Sequence, residues 1–346
     1  MKKLRKSFIF LLVITLLGSF FYYHSNKEMF RRGKDKLITD AKGYDGSNPL
    51  TILSTQLITR HFNIHTNLDF ERLDYFEKLF EGFYEYYDRE FLEIKQPERL
   101  EAFLFDGPRY YGPFARHLTG PDYTPYGFYV PSMNIIVVNA DTGLGTLTHE
   151  LAHHFTDCAF DYRPVQWINE GISTYFEKFI GYLDEEGKMH ITFGYFSNLR
   201  LPQAKEIIHE FTFSELIGRG GFPQSLIRTF VIFLHKKGKF KDFVRAAAAG
   251  SLDDPFGLGA IEKVYNKPLE EIEAEWKKWV LELPMDDDIF LVDEAFVKTP
   301  EEWEKWWGEN EERLYFSPEE QIYRVKEGHK KTWSEIKGKR GKPKRN

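Results

Sequence analysis

The chain has 346 residues, 42% hydrophobic and 29% charged, which is enough to bury a sizeable core and excludes a disordered, collagen-like or coiled-coil rod protein. Its formal charge of -6 hides a contrast. Lys2, Lys3, Arg5 and Lys6 open the chain and eight Lys/Arg against Glu335 close it from residue 330, leaving about -17 on the body and excluding a nucleic-acid groove there. The single cysteine, Cys158, excludes an intrachain disulfide framework and a Cys-rich zinc knuckle.

A basic start precedes an uncharged stretch from Ser7 to Tyr23, apolar from Phe8 to Leu17 apart from Thr15. That is the pattern of a membrane-seeking segment, at the short end of what spans a bilayer. Small residues are not paired at the cleavage positions around Gly18, Ser19 and Ser25, so residues 1–25 read as a signal anchor, with a removed signal peptide as the alternative. The basic residues before the span place the remainder outside the cytoplasm, membrane-anchored or secreted if the segment is cleaved. Residues 26–50 read as a polar connector.

Folding is expected from residue 51. His61 to Thr66 reads as a strand, and Phe70 to Phe91 carries large apolar residues at helical spacing with acidic residues on the other face. Arg99 to Phe105 reads as a second strand. Gly127 to Val130 and Asn134 to Asn139 read as a hairpin across Pro131, Ser132 and Met133. The periodicity then turns helical at Leu144 to Thr156, Val165 to Ile180, Pro223 to Lys237, Phe240 to Ala249 and Leu269 to Leu283. Strands followed by helices predict an α+β protein: a small mixed sheet with an edge hairpin, then a helical lobe. The expected boundaries are 51–182 for the α+β part, 183–285 for the lobe, 286–328 for a Trp-rich extension (Trp303, Trp306, Trp307) and 329–346 for a basic tail.

His149-Glu150-Leu151-Ala152-His153 is an H-E-x-x-H motif. On a helix, residues four apart share a face, so both imidazoles can grip one metal ion. Glu150 is one step round the helix, placed to take a proton from a water that the metal has acidified towards a pKa of about 7. Leu147, Leu151, Ala152 and Phe155 make the surroundings apolar, as a buried helix requires. Sixteen residues then lie between His153 and Glu170, enough for a loop containing Pro164 and the start of a second helix. Two His and one Glu leave a coordination position open, the catalytic arrangement for zinc; the same ligand set also suits Fe, Mn or Co.

This H-E-L-x-H followed by Trp167-Ile168-Asn169-Glu170-Gly171-Ile172 resembles the gluzincin metallopeptidases, and most of all their peptidase MA-like domains. The resemblance covers about residues 62 to 283 and is strongest from Gly127 to Glu177. It implies a thermolysin-like catalytic core and one Zn2+ per chain, held by His149, His153 and Glu170, with Glu150 as general base. It further implies a peptide or protein substrate, lying as an added strand against the hairpin at Gly127, Phe128 and Tyr129 or at Ile135 and Val137. In the absence of an amine-capturing motif an endopeptidase is expected.

The chain departs from the family pattern in three places, the first being a spacing from His153 to Glu170 a little shorter than usual, which a variable loop can absorb. Thr174 stands where an Asp usually orients the first His; Glu177, on the same helical face as Glu170, is the expected substitute, with Asn169 a second support for the ligands. Phe222 stands where a Tyr usually donates to the oxyanion, which leaves Tyr175, Tyr195 and His190 as candidate donors. The absent hydroxyl at Phe222 keeps open a zinc-binding but catalytically weak scaffold that holds a peptide or cell-wall partner.

Overall fold

Short runs rich in Val, Ile and Phe pair into the central sheet, and amphipathic runs cover both its faces. The computed structural model describes residues 53, 55–196, 200–213, 215, 223–250, 253–283, 296–298, 300–318 and 322–330. The N-terminal apolar segment, the connector at 26–50, Phe222 and the basic tail beyond residue 330 lie outside them. Among the described residues no helix is long and apolar enough to cross a membrane.

The main sheet contains β1 (Thr55–Ile58), β2 (Phe62–Thr66), β3 (Leu100–Phe105), β4 (Gly127–Val130) and β5 (Ile135–Asn139). Its spatial order is β1-β2-β3-β5-β4. β2, β3 and β5 run parallel in the centre, while β1 and β4 pair antiparallel at the two edges. Successive side chains alternate between faces. Phe62, Ile64, Ala102, Leu104, Ile136 and Val138 join the large core, and Phe103, Phe105, Ile135 and Val137 pack with Tyr111 and Phe114 from α2 (Pro108–Thr119) on the other side.

The large core is continuous from Phe62 to Val280. Helix α1 (Phe70–Tyr86), extended by one π-helical turn at Tyr87–Phe91, packs there with α3 (Leu144–Ala159) and α4 (Gln166–Phe176). Phe155 of α3 lies at the junction, with ring centroids 5.2 Å from Phe83, 5.3 Å from Tyr87 and 6.2 Å from Phe62. Two hydrogen bonds set how α3 sits. Thr148 Oγ1 donates to the carbonyl of Phe176 at 2.7 Å, and the hydroxyls of Tyr87 and Thr156 lie 2.9 Å apart. Helices α5 (Arg200–Ile207), α6 (Gln224–Lys236), α7 (Phe240–Ala249), α8 (Leu258–Tyr265) and α9 (Leu269–Glu282) follow. The protein is therefore α+β, with a small mixed sheet and, among the described residues, ten α-helices.

Two expectations are corrected. The helix expected over Val165 to Ile180 ends at Phe176, and Phe179–Leu183 is a strand, β6, paired with β7 (Met189–Phe193) and β8 (Phe296–Lys298). A run such as Phe179-Ile180-Gly181-Tyr182-Leu183 is apolar at every non-glycine position, so its periodicity does not separate strand from helix. The half expected to be helical therefore carries a second sheet, followed by α10 (Pro300–Asn310) and the hairpin of β9 (Leu314–Ser317) with β10 (Ile322–Val325). The second correction concerns Ile135 and Val137. β5 is hydrogen-bonded on both sides, by β3 and by β4, and both side chains are fully buried. That strand has no free edge for a substrate, whereas β4 has one.

Candidate metal centre

His149 and His153 project from α3 one turn apart, and Glu170 comes from α4, which packs beside it. One ligand atom from each of the three lies within 4.8 Å of the others. The Nε2 atoms of the two imidazoles are 3.1 Å apart. Glu170 Oε2 lies 3.6 Å from His149 Nε2, and its Oε1 lies 3.7 Å from His153 Nε2.

The partners of the far ring nitrogens set the tautomers. Nδ1 of His153 is 2.9 Å from Asn169 Oδ1, which can only accept, and 2.9 Å from the Ser173 hydroxyl. Nδ1 of His149 is 3.0 Å from Glu177 Oε1; the approach is short but oblique, so the nitrogen lacks a well-aligned hydrogen bond. Both Nδ1 atoms therefore carry the hydrogen, and both Nε2 lone pairs point at one spot with a carboxylate beside them. Two bare lone pairs at 3.1 Å repel unless a cation sits between them. The residues thus fit a metal ion, with one carboxylate and two neutral imidazoles as donors.

Electrostatics without a metal agree. Burial disfavours the charged form of His149, but Glu177, Glu150 and Glu170 outweigh it and raise its pKa. Burial and the charge of His149 together hold His153 well below the usual histidine range. A proton on His149 thus occupies the place a metal cation would take.

Glu150, the next residue on α3, is 8% exposed. Burial raises its pKa to about 7; His149 opposes the shift, Glu170 and Glu177 add to it, and the nearby backbone N–H of Tyr129 on the edge strand opposes it. The edge strand reaches this close because residue 127 is glycine. A Cβ there would lie 2.8 Å from Thr146 Cγ2 and 3.0 Å from the Val137 carbonyl. Phe128 points the other way, into the cluster around Tyr111, with ring centroids 6.3 Å apart.

Behind the ligands lie groups that the motif did not announce. Gln224 Nε2, at the start of α6, donates to Glu170 Oε2 at 2.7 Å. Glu177 accepts from Arg200 at 3.0 and 3.2 Å and from Arg228 at 3.3 Å. Thr174, at the position where the family pattern has an acid, instead accepts from Arg228 at 3.3 Å. Burial opposes ionisation of Glu177, yet His149, Arg200 and Arg228 together hold its carboxyl far below the usual carboxylate range. Gln224 and Arg228 lie more than fifty residues from the ligands they serve, and nothing in a local pattern marks them.

The three expected oxyanion donors are engaged elsewhere. The Tyr175 hydroxyl is buried against His235 Nδ1 at 3.2 Å. That of Tyr195 lies 3.0 Å from Thr192 Oγ1 and accepts from the Tyr323 N–H at 2.8 Å. His190 Nε2 pairs with Asp184 at 2.7 Å, and its ring stacks on Tyr182. Each polar tip is held by a partner outside the His149, His153 and Glu170 cluster.

Compared with known proteins, the chain matches no family model, and no curated protein matches it significantly.

Proposed function

We propose that this chain is a zinc-dependent peptidase that hydrolyses peptide bonds, with a thermolysin-like catalytic core of the gluzincin type. The observation that carries the reading is the convergence of the two Nε2 atoms and the Glu170 carboxylate beside a buried Glu150 that lies next to an edge strand. His149, His153 and Glu170 would hold one zinc ion. Zinc bound there would supply Lewis acidity towards the scissile carbonyl and towards water.

The chain's own residues do the remaining work. Glu150 takes the proton of the attacking water and returns it to the departing amine nitrogen. Burial supports that cycle, because a carboxyl with a pKa near 7 both accepts and gives up a proton at neutral pH. The free edge of β4 receives an extended backbone by strand addition, a mode that recognises main chain over side chain and suits an endopeptidase. The apolar segment at Ser7 to Tyr23 supports membrane anchoring with the catalytic part outside the cytoplasm.

A second reading has one observation in its favour. Tyr175, Tyr195 and His190 are all engaged elsewhere, and Phe222 carries no hydroxyl, which is what a zinc-holding scaffold with weak turnover would show. Elemental analysis of the detergent-solubilised full chain, wild type and His153→Ala, run beside a quenched-peptide cleavage assay, separates the two. About one zinc per chain, lost in the variant together with chelator-sensitive cleavage, supports the peptidase. Zinc with peptide binding but no turnover moves the assignment to the scaffold, and no metal in the wild type overturns both.

A further inference from the structure

The cluster takes its ligands from α3 and α4, yet a third helix reaches both carboxylates of α4. Gln224 and Arg228 are four apart on α6 and so share a face, as do Glu170 and Glu177, seven apart on α4 and its end. The two faces meet in register. Gln224 Nε2 donates to Glu170 Oε2 at 2.7 Å, and Arg228 donates to Glu177 Oε2 at 3.3 Å.

Two further facts show that the meeting is built. The helices pack closely where α4 has glycine: a Cβ on Gly171 would come within 3.0 Å of Val231 Cγ1 and 3.3 Å of Ile227 Cγ2, both on α6. Arg228 is also fully buried, with its other donors on Thr174 Oγ1 and the Tyr195 carbonyl and its Nε without a hydrogen-bond partner. Hydrocarbon of the same volume would fill that space without the desolvation penalty of a guanidinium, so its presence calls for a role beyond packing.

We infer that Gln224 and Arg228 are positioning residues of the metal centre. Gln224 ties one oxygen of Glu170 so that the other is offered to the ion, and Arg228, with Arg200, holds Glu177 against His149 so that the ring keeps its Nε2 on the cluster. The glycine of the Asn169-Glu170-Gly171 run is explained by the same contact, because a side chain there would push α6 away from Glu170. The inference rests on the metal-site reading and concerns which residues outside the ligand set determine the affinity of that site.

The test measures Zn2+ affinity of the full chain in detergent by competition with a chromophoric chelator, together with the visible spectrum of the Co2+-substituted protein at saturation. Gln224→Ala is expected to bind zinc about tenfold more weakly, and Arg228→Met ten- to a hundredfold more weakly. Arg228→Lys, which keeps the charge and loses the fork, should recover part of that loss. At saturating Co2+ the spectrum of Gln224→Ala should still differ from wild type, while unfolding of its metal-free form is unchanged; a merely structural role would not give that combination. Losses in Gln224→Ala and Arg228→Met should multiply, whereas Arg228→Met combined with Glu177→Gln should add little to either alone. If the Arg228 variants do not fold, Arg200→Gln tests the same clamp from a side chain that is 26% exposed, with a loss of affinity again expected. Wild-type zinc affinity and an unchanged cobalt spectrum in Gln224→Ala, with wild-type affinity in the arginine variants, would overturn the inference and leave the metal site standing. No zinc in the wild type would overturn the site itself.

Discussion

Glu177 Oε1 stands 3.0 Å from Nδ1 of His149, and the same carboxylate is gripped from behind by Arg200 and Arg228. Among metal-binding histidines a carboxylate on the far nitrogen fixes the tautomer and makes the ring a better donor. Here the acid comes from the end of α4, two turns beyond the candidate ligand Glu170, while Thr174 on the intervening turn accepts from Arg228. His149 and the two arginines keep the acid ionised in a place where burial would otherwise protonate it.

That arrangement ties stability to pH. The carboxyl of Glu177 is depressed in the folded protein, so its contribution is present in full above the unfolded value near 4.5 and declines as pH falls below it. Chelator-treated wild type should therefore exceed Glu177→Gln in unfolding midpoint at pH 7, and the gap should narrow steadily from pH 5 to pH 3. Denaturation of both proteins across that range checks it. A gap that stayed constant with pH would mean that the loss in the variant comes from packing and not from charge.

Glu150 lies outside the candidate ligand triad, with the backbone N–H of Tyr129 near its carboxylate. Glu150→Gln keeps the shape and removes the proton carrier. Zinc content should stay at about one per chain while cleavage falls at least about a hundredfold. Metal analysis and single-turnover cleavage on the same preparation measure both. Loss of zinc in this variant would reassign Glu150 to the coordination sphere, and undiminished cleavage would remove it from the mechanism.

The sequence made the ligand cluster legible because helical period and motif spacing are local: His149 and His153 must share a face, and the apolar residues between them demand burial. The central strands were legible for a similar reason, each being a short run with β-branched or aromatic residues between turn residues. Glu177 was legible from its spacing after Glu170. Gln224, Arg228 and Arg200 were not, because their partners are 54, 51 and 23 residues away and only the packing of α6 and the start of α5 brings them in. β6 was hidden because its residues are apolar in succession, and the placement of Tyr175, Tyr195 and His190 depends on partners supplied by other elements.

The aromatic junction around Phe155 sets where the ligand helix sits. Its ring touches those of Phe62, Phe83, Tyr84 and Tyr87, which come from β2, α1 and the π-turn. Phe155→Ala leaves a cavity between the sheet and α3 and should cost about 3–5 kcal/mol. Phe155→Leu, which refills part of the volume, should cost less. Chemical denaturation of the metal-free proteins gives both values. Losses under about 1 kcal/mol for the alanine variant would show that the helices close over the gap and that the junction does not hold α3 in place.

Gly127 gives the most direct test of the link between the edge strand and Glu150. A methyl group there meets Thr146 Cγ2 at 2.8 Å and the backbone oxygen of Val137 at 3.0 Å. The threonine can yield, but a strand carbonyl paired in the sheet cannot, so β4 must move outward and carry the Tyr129 N–H away from the carboxylate. Overpacking of this kind costs about 1–3 kcal/mol. Glu150 then loses a nearby backbone N–H that favours its charged form, so cleavage by Gly127→Ala should depend on a group of higher pKa than in wild type. Adding Thr146→Ser removes the offending Cγ2 and keeps the hydroxyl that meets Thr142 at 3.1 Å. The double variant should regain part of the stability, with the remainder set by the Val137 contact. Unfolding and pH-rate profiles of the single and double variants measure this; an alanine variant with wild-type stability and profile would mean that the strand has room to spare and does not set the environment of Glu150.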